Sequence, residues 1–159
     1  MTRIRGGGQI AVSLYRGLGA GLAIASMEAL ASLAGEPVSR LPFVTSIVLV
    51  MALPDSDAAQ PRAVIGGHLV SSLAGLACQA VVGSDQTAGS LAVGLATFAM
   101  LITRTLHPPS GIDAFLVPIN DLGLRWLMSP VLVGAVMLAV YGRLWAAGER
   151  RFVRVPVST

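Results

Sequence analysis

The chain has 159 residues, 54% of them hydrophobic and 12% charged, with a net charge of +3 and a mean hydropathy of +0.75. A soluble domain carries roughly 25% charged residues, so the composition excludes an ordinary soluble enzyme and points to an integral membrane protein of one compact domain. All the basic residues are arginines, scattered or gathered at the two ends, with no basic groove and interleaved aromatics, which excludes a nucleic-acid binder.

In chain order, a short segment, 1–13, carries Arg3 and Arg5. A helix that crosses the hydrocarbon core needs about 20 mostly apolar residues. Four stretches reach that length: 17–34, 63–82, 88–106 and 127–147. Two shorter apolar runs do not. One is 41–53, between Pro42 and Pro54; the other is 112–119, between Pro109 and Pro118. Proline lacks a backbone N–H and fixes φ, so it sits best in the first turn of a helix. The expected fold is an all-α, polytopic transmembrane helical bundle: four full spans plus two short proline-bounded half-helices, arranged as two pseudo-repeats. Cys78 is the single cysteine and lies in an apolar run, where it acts as a small packing residue. The last segment, 148–159, is a basic tail.

Orientation follows the arginines. Arg3, Arg5 and Arg16 lie at one end of the chain, and Arg143, Arg150, Arg151 and Arg154 at the other. The positive-inside rule puts both ends in the cytoplasm. With four crossings, both short segments lie toward the outside. A crossing by 41–53 would force the second short segment to cross as well, and the sequence leaves that arrangement open. Small residues four apart mark packing faces: Gly17 with Gly21, the ladder Gly67–Ser71–Gly75, and Ser90 with Gly94.

The residues that could carry chemistry are few. His107-Pro108-Pro109 stands where an apolar run stops and a short one begins. Non-helical backbone at membrane depth is tolerated where protein buries it or where it lines a watery cavity. Arg104 and His107 are three residues apart, which predicts one shared helical face. Arg104 supplies a permanent cation, and His107 can change charge near neutral pH. A half-helix after Pro109, with Ser110 and Gly111 at its start, presents free N–H groups and a partial positive charge to an anion. Asp113, in its first turn, complements that dipole and partly cancels the attraction. Arg62 and His68 are the counterparts in the first half. Gly66 and Gly67 leave room beside an imidazole, and Pro42 opens the first short segment. Glu28 lies inside a long span and is a candidate proton or ion-pair site. No metal, cofactor or enzyme motif is recognisable, so no catalytic residue is expected.

The block 59–68, Ala-Gln-Pro-Arg-Ala-Val-Ile-Gly-Gly-His, followed by Arg104-Thr105-Leu106-His107-Pro108-Pro109, resembles the HPP family of integral membrane proteins, which is named for the tripeptide. The resemblance covers residues 14–145. It implies a single HPP-type membrane domain over 1–159, which with the arginine count places 1–13 and 148–159 in the cytoplasm; the expected location is the inner membrane of a bacterium. It implies a channel or transporter for a small monovalent anion, with nitrite the first candidate. Four spans make a thin bundle, so a homo-oligomer is expected, and no cofactor is. Family members commonly continue Pro-Pro with Gly-Gly-Ala-Thr-Ala; here the run is Ser110-Gly111-Ile112-Asp113-Ala114, and the carboxylate bears on selectivity. Two alternatives follow from the residues: proton-coupled transport of another small solute through Glu28 and Asp113, or a structural membrane subunit that transports nothing.

Overall fold

The computed structural model describes residues 6–34 and 43–153. Six helices make up the described chain: α1, Gly6–Ala34; α2, Val44–Ala52; α3, Pro61–Val82; α4, Gln86–Thr103; α5, Gly111–Ile119; and α6, Leu124–Val153, which is broken at Ser129, just before Pro130. Four of them, α1, α3, α4 and α6, are long and apolar enough to cross a membrane. The nine residues of α2 and of α5 reach only about 13 Å at 1.5 Å per residue, less than half the hydrocarbon core. Leu14 and Leu18 of α1, Phe98 and Ile102 of α4 and Leu144 of α6 are exposed and form an apolar outer belt suited to lipid.

Contacts at the two ends fix the direction of each pass. At the first end, Arg16 of α1 pairs with Glu149 of α6 at 2.7 Å and donates to the carbonyl of Ala52, the last residue of α2, at 2.7 Å. Arg62, at the start of α3, donates to the carbonyl of Thr103, the last residue of α4, at 2.8 Å. At the second end, Asp121, just past α5, accepts from Gln79 near the end of α3 and from Ser84 in the turn before α4, each at 2.7 Å. So α2 finishes at the first end and α5 at the second. The expectation that both short segments lie toward one face is corrected: they run to opposite ends, as in the arrangement where both cross. Two half-helix passes and four full spans then alternate in direction, and the start of α1 and the end of α6 share a side.

Three passes per half invert the second half relative to the first. The packing follows the same exchange: α2 lies on α1 and α6, α5 on α4 and α3, while α1 packs on α6 and α4 on α3. Each short helix therefore joins the first long helix of its own half to the last long helix of the other.

Local chemistry sets the boundaries. Pro61 occupies the first turn of α3. Gly83 ends that helix at φ +113°, a conformation that favours glycine. Asp85 caps α4 by accepting from the Ala88 N–H at 2.8 Å. Arg104 ends α4 in the left-handed region, at φ 57°. This corrects the expectation that Arg104 and His107 share a helical face, because the helix stops at Thr103 and residues 105–107 are not helical. The Gly67–Ser71–Gly75 ladder faces α5: a Cβ at Gly67 would lie 2.6 Å from His107 Cβ, and one at Gly75 would lie 2.8 Å from Val117 Cβ. Gly17, Gly21 and Gly94 face open space instead.

Candidate functional site: a buried polar chain between the short helices

His68 lies seven residues after Pro61, about 10 Å along α3 at 1.5 Å per residue. The extended residues 105–107 bring the chain down to that depth from the end of α4. Thr105 Oγ1 lies 2.7 Å from Thr103 Oγ1, and the Thr105 N–H bonds the Met100 carbonyl at 2.9 Å. Thr105 and His107 of this irregular stretch are buried in protein, while Leu106 between them is exposed. Pro108 and Pro109 then open the tight turn Pro108–Ser110 that leads into α5.

Three elements meet at His68. Its Nδ1 lies 2.6 Å from Asp113 Oδ2 in α5, and its Nε2 lies 3.0 Å from Ser46 Oγ in α2. The same hydroxyl lies 2.9 Å from Nε2 of His107, whose Nδ1 lies 2.7 Å from the carbonyl of Ala58. The imidazole centres are 5.3 Å apart, and the ring of Phe43 is 4.7 Å from that of His68. His68, His107, Asp113 and Ser46 are all fully buried. Ser110 Oγ donates to the His107 carbonyl at 2.8 Å and lies 3.3 Å from Ser71 Oγ. Asp113 Oδ1 is buried with no hydrogen-bond partner among the described residues.

The proton positions follow partly from donor and acceptor rules. A carbonyl only accepts, so His107 carries its hydrogen on Nδ1. One proton lies between His68 Nδ1 and Asp113 Oδ2: a neutral pair and an ion pair share one proton count, and a carboxylate facing a neutral Nδ1–H ring has one proton fewer. A serine hydroxyl can accept from one ring while it donates to the other. Ser46 is the third residue of α2 and Asp113 the third of α5. Both short helices thus begin at His68 and direct the partial positive charge of their N-termini toward it.

The structure brings His68, His107, Asp113 and Ser110 together. Gly67 makes room for the His107 side chain, whereas a Cβ at Gly66 would meet Thr105 Cγ2 at 2.6 Å. Pro109 is half-buried, Pro108 is exposed, and Gly111 is half-buried at the start of α5. Arg62 and Arg104 stand apart from the histidines: both are exposed, at the start of α3 and the end of α4. Glu28 is exposed on α1. Pro42 lies outside the described residues. Sequence reasoning missed Ser46 and Ala58. The only signal for Ser46 was the Thr45-Ser46 pair inside an otherwise apolar run.

The model of the HPP transmembrane region matches residues 6–153. Two transmembrane proteins of Dictyostelium discoideum are each 32% identical over 105 residues, 60% of this chain. That match spans 36% of the length of one relative and 33% of the other. No solved structure matches the chain. With the family's membrane region matched almost from end to end and four apolar helices to carry it, the chain belongs to the HPP transmembrane family.

Proposed function

We propose that this protein moves a small monovalent anion across the membrane through the site around His68, with nitrite the first substrate to test. The observation that carries the reading is the meeting of two half-helix N-termini beside buried histidines. Short, interrupted helices in matching positions of two inverted halves mark the binding sites of membrane transporters, and their N-terminal ends face anionic groups. The partial positive charge at the starts of the two short helices supplies the attraction. Arg62 and Arg104 act from the rim, where they raise the local anion concentration. The same reading takes the protein as a non-enzymatic homo-oligomer with both ends of the chain in the cytoplasm of a bacterial cell.

The test is uptake of nitrite, against nitrate, formate and chloride, by liposomes that hold the purified protein. Saturable nitrite entry above protein-free vesicles, abolished in His68→Leu/Asp113→Leu while that variant still purifies as wild type does, is the expected result. No flux of any of these anions in oriented vesicles would overturn the reading.

A further inference from the structure

We infer that the anion crosses together with a proton, and that the proton travels along the chain Asp113–His68–Ser46–His107. This rests on the transport reading above. A carboxylate at the start of α5 occupies the place where the helix N-terminus would attract an anion. Two negative charges side by side in a buried site repel strongly, because the surroundings screen them poorly. An anion is therefore accepted when Asp113 carries a proton, so the anion arrives with one. Net charge in the site then stays unchanged through the cycle.

The geometry supplies the route. Every link is a hydrogen bond of 2.6–3.0 Å between fully buried side chains. The titratable groups that face His68 are Asp113 from α5 and His107 from the segment before it. From α2 it meets Ser46, and from the residue before α2 Phe43, both neutral. In the releasing step the Oδ2–H bond of Asp113 breaks and a bond to His68 Nδ1 forms. The Nε2–H of His68 passes to Ser46 Oγ as the serine hydrogen passes to His107 Nε2. One proton leaves Asp113 and one arrives on His107, which becomes an imidazolium held at Nδ1 by the Ala58 carbonyl. Ala58 belongs to the turn Asp57–Ala59. Its neighbours Ala59 and Gln60 line a cavity of about 160 Å³ at the first end of the bundle, beside Asp55, Arg143 and Arg150. The far end of the chain thus lies one residue from a polar cavity that can hold water.

The experiment traps a pH dye in proteoliposomes and follows three quantities: net nitrite uptake, internal acidification, and exchange of labelled nitrite at equal concentrations on both sides. All rates are taken above protein-free vesicles. The expected result is acidification by one proton per nitrite, with uptake unaffected by a clamped membrane potential. Ser46→Ala should lose most of the net, proton-coupled uptake and keep exchange, because exchange returns the site without releasing the proton. Asp113→Asn, of nearly the same shape and fixed in its neutral form, should lose acidification and flatten the dependence of any remaining uptake on pH. Exchange with no proton movement, or uptake that follows the membrane potential, overturns this inference and leaves the transport reading standing. Full proton coupling in Ser46→Ala overturns it as well. The absence of exchange and uptake together sinks both.

Discussion

The two short helices are the same device with different contents. Both are nine residues long, both begin beside His68, and each spans two halves of the fold. The first turn of α2 brings Ser46, with Phe43 just before it; the first turn of α5 brings Asp113, with His107 just before it. One contributes a neutral hydroxyl and an aromatic wall, the other an acid and a base. Symmetry of the backbone therefore builds the site, and asymmetry of the side chains gives it chemistry. A fully symmetric site would hold an acid from each side, and two buried carboxylates there would repel each other.

The harshest way to break this comparison is to remove the residue both helices share. His68→Ala leaves Asp113 buried without the ring that holds its Oδ2, and removing one partner of a buried pair costs about 3–5 kcal/mol. Thermal unfolding in mild detergent should show a large fall in midpoint, and the double variant His68→Leu/Asp113→Leu should recover much of it. A His68→Ala protein that melts with the wild type would mean that Asp113 is not held as a buried partner. A milder change tests the packing that sets α5 against α3. Gly67→Ala puts a methyl group against His107 Cβ and 3.1 Å from the Thr105 carbonyl, and such overpacking costs about 1–3 kcal/mol. Gly17→Ala meets open space on α1 and should match or exceed the wild type, since alanine outranks glycine in a helix by about 1 kcal/mol. Equal melting of the two variants would refute the close approach of α5 to the glycine ladder.

The boundaries of the passes were legible because hydropathy and proline are local signals. The two proline-bounded runs, 41–53 and 112–119, coincide with α2 and α5 to within a few residues. Their direction was not legible. It depends on contacts between residues far apart in the chain, such as Arg16 with Glu149 and Gln79 with Asp121. Counting arginines cannot supply it, because Arg62, Arg104 and Arg125 flank helices near both short segments. Of the site, His68, His107 and Asp113 stand out in any apolar sequence, since a titratable group there is costly to bury. Ser46 and the Ala58 carbonyl do not: hydroxyls and carbonyls occur everywhere, and only the fold selects these two. Arg104 misleads for a physical reason. Its place three residues before His107 reads as one helical face, but the helix has already ended and the intervening backbone turns the two side chains apart.

Arg104 therefore gives the smallest effect and a sharp contrast with the buried chain. It holds φ 57°, ψ 38° at the end of α4, where a side chain costs about 1–2 kcal/mol that glycine avoids. Glycine loses more freedom on folding, so Arg104→Gly should raise the melting midpoint slightly. Arg104→Gln, an exposed substitution, should stay within about 0.5 kcal/mol of the wild type. Both variants remove the same charge. If that charge only gathers anions at the rim, each raises the half-saturation concentration for nitrite and leaves the maximal rate alone. The rise should be larger at low salt, because the screening length grows from about 10 Å at 0.1 M to about 30 Å at 0.01 M. A maximal rate that collapses in both, with melting unchanged and no dependence on salt, would put Arg104 in the pathway. The route would then run past the end of α4 and not between the starts of α2 and α5.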